Sequence, residues 1–193
     1  MIQIGSPNWV ENLKETTSPL GSDFWSNFVR ASEAQLNELE KQTRRELPDE
    51  FRELYRSIGY GSFPMGGGFS SPDDIIACLG APIYFVLGSL FSGKEWATEE
   101  EHRQLWLTRG AVNPNPGKFT DAALTLEEVK LYDMLQFGSD GYCCYHQLYV
   151  GPEPAPFQYC LLTDYEKMED KRQSISLALE KIVGSYLSDF GNG

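Results

Sequence analysis

Histidine and paired cysteine motifs are scarce in this sequence, which restricts the chemistry it can support. The 193 residues include two histidines, His102 and His146, and four cysteines, none of them in the Cys-x-x-Cys spacing of zinc and redox sites. Cys144 and His146 share one face of a predicted strand, but the remaining ligands of a zinc site cannot be named. We therefore predict no metal, no cofactor and no disulfide, with thiols that stay reduced as in the cytosol.

The short motifs of common catalytic and nucleotide-binding sites are also missing. The glycines at 66–68 lack the Gly-Lys-Ser/Thr of a P-loop and the spacing of a dinucleotide fingerprint, and no Gly-x-Ser-x-Gly is present. Acidic groups at 73–74, 99–101 and 127–128 each lie near a predicted helix start, where the helix dipole favours negative charge. We expect no enzymatic activity; a carboxylate-based hydrolase is the weaker alternative.

Long apolar segments and an excess of basic charge are absent as well. The longest apolar run, residues 81–91, is interrupted by proline, glycine and serine, and the first residues lack the pattern of a signal peptide. We therefore expect a cytoplasmic protein. The 28 acidic residues outnumber the 16 basic ones and give a net charge of −12. Such a surface repels nucleic acid and anionic lipid and attracts basic proteins.

Apolar periodicity predicts helices at both ends of the chain. Residues 1–31 are expected to form a helical extension that packs on the domain through Phe24, Trp25, Phe28 and Val29. Ser32 and Gln35 form a capping box before a helix over 33–46. Pro48 is suited to begin a second helix, to residue 58, and a final helix is predicted over 174–189. The apolar positions of the last two helices are Phe51, Leu54, Tyr55, Ile58, Ile175, Leu179, Ile182, Val183, Tyr186, Leu187 and Phe190.

The centre of the chain predicts strands. They are expected in part of 82–91 and over 132–137, 142–150 and 157–163, with Asp140-Gly141 as the turn of a hairpin. Thr98 and Glu101 form a second possible capping box before a short helix. Helices followed by strands and a closing helix indicate an α+β fold, with an antiparallel sheet and helices packed on one side.

Two segments of the chain form a recognisable pattern when they are taken together. The first is Leu39-Glu40 followed by Leu-Pro-Asp-Glu-Phe at 47–51 and Ile-Gly-Tyr-Gly at 58–61. The second is Phe-Gly-Ser-Asp-Gly at 137–141, followed by an aromatic strand, the strand at 157–162 and a closing helix through 177–187. This combination resembles the SUKH superfamily, in particular its branch of fungal cell-wall-assembly regulators and bacterial relatives. The resemblance covers about residues 32–190, and it implies that residues 32–193 are a single SUKH-like domain preceded by the 1–31 extension.

This resemblance implies an α+β fold without enzymatic activity. In bacteria such proteins are commonly immunity proteins, which bind and neutralise a toxin that is often a nuclease; in fungi they are regulatory scaffolds. We expect a protein-binding domain of the immunity type, with the regulatory scaffold as the alternative. The expected partner is a protein with a basic surface, such as a toxin domain, rather than nucleic acid or membrane, and the chain itself is expected to be a monomer or weak homodimer.

Candidate partner-binding residues combine aromatic anchors with nearby acidic groups. Interfaces concentrate their binding energy in a few aromatic side chains, charge around them raises the association rate, and glycine-rich loops can present both. The residues that meet this description are Tyr60, Phe63, Asp73, Asp74, Trp96, Glu99, Glu100, Asp140 and Tyr142.

Overall fold

A computed structural model of the chain describes residues 2–79, 134–142, 144–151, 158–163 and 167–191. In these ranges the helices are α1 (Trp9–Thr16), a short 3-10 helix (Ser18–Leu20), α2 (Glu33–Thr43), α3 (Asp49–Ser57), α4 (Pro72–Ala77) and α5 (Ile175–Phe190). None of these described helices is long and apolar enough to cross a membrane. The strand expected within 82–91 and the helix expected after Thr98 lie outside the described residues.

The strands of the described residues form one antiparallel sheet, in which each of them pairs with the next described strand. They are β1 (Gly61–Ser62), β2 (Gly68–Phe69), β3 (Met134–Ser139), β4 (Cys144–Tyr149), β5 (Tyr159–Thr163) and β6 (Lys167–Arg172). The predicted α+β class and the hairpin of β3 and β4 are confirmed. Strand β6 was not predicted, because its sequence Lys-Met-Glu-Asp-Lys-Arg has no apolar alternation.

The helices α2 and α3 follow the local signals closely. The capping box is present. The Ser32 hydroxyl accepts from the backbone amide of Gln35 at 3.3 Å, and the side-chain Oε1 of Gln35 accepts from the backbone amide of Ser32 at 2.9 Å. Helix α2 ends at Thr43, earlier than expected, because Arg44 adopts a left-handed conformation with φ of 57°. Pro48 immediately precedes α3.

Helices α2, α3 and α5 bury their apolar sides in one core with a single face of the sheet. Phe51 stacks on Tyr55 with ring centroids 4.3 Å apart and meets Phe137 of β3 edge-on at 5.7 Å. The Tyr55 hydroxyl donates towards the carbonyl oxygens of Ser70, at 2.9 Å, and Phe137, at 3.2 Å. These contacts fix α3 across the sheet, and the predicted packing on one face is confirmed.

The residues before position 31 share this core, but they are less helical than expected. Trp9, Leu13 and Phe24 are buried in the same cluster as the helices and the sheet. Only α1 and the 3-10 helix are helical there, and residues 22–27 form turns. Val29, expected to pack inward, is 59% exposed, although its backbone pairs with Tyr60 in an isolated antiparallel bridge. Residues 2–31 therefore contribute to the same core as α2, α3, α5 and the sheet.

Glu50 connects the Leu-Pro-Asp-Glu-Phe segment to the beginning of α5. One of its carboxylate oxygens accepts from the backbone amides of Ile175, at 2.7 Å, and Ser176, at 3.3 Å. The other accepts from the Ser176 hydroxyl at 2.6 Å. The first amides of a helix have no partner within the helix, and the positive end of its dipole favours a carboxylate. One side chain of α3 thus caps a helix that follows it by 125 positions in the chain.

Replacing Glu50 with Ala is expected to lower the free energy of unfolding by about 2 kcal/mol, because two amides and a hydroxyl lose a charged acceptor. The measurement is denaturant unfolding followed by far-UV circular dichroism. Asp49→Ala is the matched control, since Asp49 is exposed in the same first turn of α3. The capping role would be contradicted if the two variants lost the same stability.

Candidate binding cavity

The apolar stripe of α5 extends beyond the core that it covers. Its first part is buried, as shown by Ile175, Leu179 and Val183. Towards the end of the helix, however, Tyr186 is only half-buried and Phe190 is 48% exposed. The last two turns of α5 therefore leave an apolar surface beside the sheet.

A cavity of about 220 Å³ lies along this part of α5. Its floor is formed by His146 of β4 with Tyr159 and Leu161 of β5. Its wall is formed by α5, from Lys181 to Phe190. At the rim are Met65 of the β1–β2 turn and Asp140 and Tyr142 of the β3–β4 turn.

The floor of the cavity is a neutral pair of buried polar side chains. His146 Nδ1 lies 3.1 Å from the Tyr159 hydroxyl. Burial lowers the pKa of His146 to about 4, and the nearby Asp140 opposes that shift only in part. Burial also raises the pKa of Tyr159 well above its ordinary value. Both groups are therefore uncharged at neutral pH.

The wall is attached to the rim through Tyr186. Its hydroxyl donates to the Gly66 carbonyl oxygen at 2.6 Å, and partial burial, with Asp140 nearby, raises the pKa of Tyr186 to about 12. The two turns of the rim pack against each other at Gly67, which has a φ of 71°. A Cβ at this position would lie 2.6 Å from the Ser139 carbonyl oxygen, so glycine is required there. The glycine cluster thus forms a hairpin tip, as expected.

Asp140 shapes the turn that presents Tyr142. One of its carboxylate oxygens accepts from the backbone amides of Tyr142, at 2.8 Å, and Cys144, at 3.2 Å. Aspartate commonly stabilises a turn in this way. The side chain of Tyr142 is left 81% exposed at the rim of the cavity.

Lys181 contributes a basic group to the wall, and it shares its acidic partner with a second cation. Its ammonium lies 2.7 Å from one carboxylate oxygen of Asp170 on β6. The guanidinium of Arg172 lies 3.0 Å from the other oxygen of that carboxylate. Asp170 therefore bridges two cations next to the cavity.

Among the nine predicted partner-binding residues, Asp140 and Tyr142 line this cavity. Asp73 and Asp74 lie in the first turn of α4, where the Asp74 carboxylate accepts from the Ser71 hydroxyl at 2.6 Å. Tyr60 is half-buried, and its hydroxyl lies 3.5 Å from the side-chain Nε2 of Gln35. Trp96, Glu99 and Glu100 lie outside the described residues.

Phe63 requires a correction, since it was expected to be an anchor presented by a loop. It is only 2% exposed and stacks on Phe24 with ring centroids 4.7 Å apart. Tyr186 lies against the same ring at 4.8 Å. Aromatic rings that are distant in the sequence therefore enclose the side chain of Phe63, and the role of Phe63 is packing.

Sequence reasoning missed the part that α5 plays at the cavity. Tyr186 and Phe190 were placed on a buried stripe, and nothing local distinguishes them from the buried positions before them. The sequence offered no signal for this change, because the packing of the strands and turns against α5 decides how much of the helix they cover.

The described residues offer no group of three or more histidine, cysteine, aspartate or glutamate side chains that could hold a metal ion. The Nδ1 atom of His146 faces Tyr159, and Cys144 is half-buried on the same strand. A scan against protein-family models and a search of curated proteins both find no match for the chain. The resemblance to the SUKH superfamily therefore stays a prediction.

Proposed function

We propose that this chain is a non-catalytic binding domain that holds a partner protein at the cavity beside α5. The observation that carries the proposal is Tyr142, a large aromatic side chain that is 81% exposed at the rim of a largely apolar cavity. Phe190, on the opposite element of the same cavity, is also exposed. Exposed aromatic residues next to a pocket are typical of the residues that dominate binding energy at protein interfaces.

The polar groups around the cavity favour binding over catalysis. A general acid or base needs a pKa near the working pH and access to the substrate. His146 titrates at about 4 and is paired with Tyr159. The Asp140 carboxylate accepts two backbone amides, and the Tyr186 hydroxyl donates to a backbone carbonyl. These groups already have structural hydrogen bonds.

The net charge of −12 supports a basic partner. Opposite net charges on two proteins accelerate their association, whereas like charges repel the wrong partners. With the resemblance to the SUKH superfamily, this favours an immunity protein that acts in the cytoplasm and covers the basic surface of a toxin.

Co-expression with the product of each gene adjacent to that of this chain tests the proposal. We expect one such product to inhibit growth alone, to be harmless with this chain, and to co-purify with it. Tyr142→Ala should weaken that complex by about 30-fold or more, as the loss of an interface hot spot does. Leu177→Ala is the matched control, since Leu177 is exposed on α5 away from the cavity lining.

The outcomes separate the alternatives. A complex without any effect on growth would favour the regulatory scaffold. If no adjacent product binds, the immunity role is wrong. If the Tyr142→Ala and Leu177→Ala variants bind the partner equally well, the proposed binding surface is wrong. Binding that slows strongly as salt is raised would support the attraction between opposite charges.

A further inference from the structure

The charges along the cavity are unequal. Among the described residues that line it, the groups charged at neutral pH are Asp140, Asp189 and Lys181. Lys181 lies 2.7 Å from Asp170, which also pairs with Arg172, so these three groups and the two lining carboxylates together carry three negative charges and two positive ones. His146 adds none, because burial holds its pKa at about 4. The cavity therefore attracts a positively charged group.

The end of α5 strengthens this attraction. The helix ends at Phe190, so the lining residues Asp189 and Phe190 belong to its last turn. The final carbonyl groups of a helix give that end a partial negative charge, which favours cations. This contribution comes from the backbone and is independent of the two carboxylates.

The aromatic side chains of the cavity suit a flat cation. Phe190 is stacked on Tyr186, with ring centroids 6.2 Å apart and an angle of 29° between the planes. Phe190 and Tyr142 both remain exposed. A guanidinium stacks on such rings and sheds its water more readily than an ammonium does. The methylene groups of its side chain can pack on apolar residues, which Leu161 and Ile182 provide.

We propose that this cavity accepts an arginine side chain presented by the partner protein. The inference rests on the proposed function, since it names the part of the basic partner that the cavity holds. The volume of about 220 Å³ is ample for one side chain, because a single water needs only about 10–15 Å³ by a comparable measure. The guanidinium lies at the mouth, between the exposed rings and near both carboxylates.

Binding of short peptides to the full chain tests this directly. The probes are acetyl-Gly-Ser-Xaa-Ser-Gly-amide peptides in which Xaa is Arg, Lys or Leu, titrated while the NMR signals of Tyr142, Tyr186 and Phe190 are followed. We expect the Arg peptide to shift these signals and to bind about fivefold or more tightly than the Lys and Leu peptides. Asp140→Asn combined with Asp189→Asn should remove most of that preference, since asparagine at 140 keeps the acceptor of the turn but not the charge.

Asp49→Asn is the control, because Asp49 is an exposed carboxylate on α3 that does not line the cavity; it should leave the affinity for the Arg peptide unchanged. Equal binding of the Arg and Lys peptides would overturn the choice of a guanidinium. Tighter binding of the Leu peptide, or no shift at the three aromatic residues, would overturn the site. If the peptide test fails while an adjacent gene product binds, the protein-binding function stands without the arginine. If the Arg peptide binds at the cavity but no adjacent gene product binds, the cavity is supported and the immunity role is contradicted.

Discussion

Phe51→Ala is expected to lower the free energy of unfolding by about 3–5 kcal/mol, the usual cost of removing a large side chain from a core. Phe51 is fully buried, stacks on Tyr55 and contacts Phe137 of the sheet. Its removal leaves a void between α3 and β3. The neighbouring side chains cannot fill that void easily, since the Tyr55 hydroxyl is held by two backbone carbonyls.

The measurement is equilibrium unfolding in denaturant, with the far-UV signal as the probe. Phe190→Ala is the matched control, because the same ring is removed from a half-exposed position, and we expect a loss below about 1 kcal/mol. An unchanged midpoint for Phe51→Ala, or equal losses in the two variants, would contradict the position of α3 on the sheet.

His146 is expected to make the protein less stable as the pH falls below neutrality. Its pKa is about 4 in the folded protein, against an ordinary value of 6.5. Between these values the unfolded chain binds a proton that the folded protein does not, so the free energy of unfolding falls as the pH falls. One pKa unit corresponds to about 1.4 kcal/mol. The loss should therefore reach about 2 kcal/mol near pH 5 and be absent above about pH 7.

His146→Gln isolates this effect, because glutamine can still bond to the Tyr159 hydroxyl but does not titrate. Unfolding of the parent and the variant is compared at pH 7.5 and pH 5. We expect the parent to lose about 2 kcal/mol more than the variant between these pH values, since the carboxylates titrate in both proteins. Parallel losses would show that the imidazole is not buried in the neutral form.

Several parts of the cavity could be predicted from the sequence. Asp140 and Tyr142 were identified because the Asp-Gly turn is a local feature, and its tip is exposed in most hairpins. Phe63 was placed wrongly because its burial depends on Phe24 and Tyr186, which come from opposite ends of the chain. A glycine-rich neighbourhood indicates a turn, but it does not say which side of the turn packs inward.

The sequence by itself determined those elements whose signals lie within a few residues. The capping box at Ser32 and Gln35, the apolar spacing of α3 and α5, and the hairpin of β3 and β4 all depend on contacts between close neighbours in the chain. The structure retains each of these elements.

Tertiary structure decided the features that depend on distant partners. Strand β6 has no strand pattern and exists because its backbone pairs with β5. Glu50 caps α5 only because α3 packs beside it. The cavity exists because the sheet and the rim leave the last turns of α5 uncovered, so the same apolar stripe is core at Leu179 and accessible surface at Phe190. Periodicity fixes which side of a helix is apolar, but only the packing of the other elements fixes how much of that side is covered.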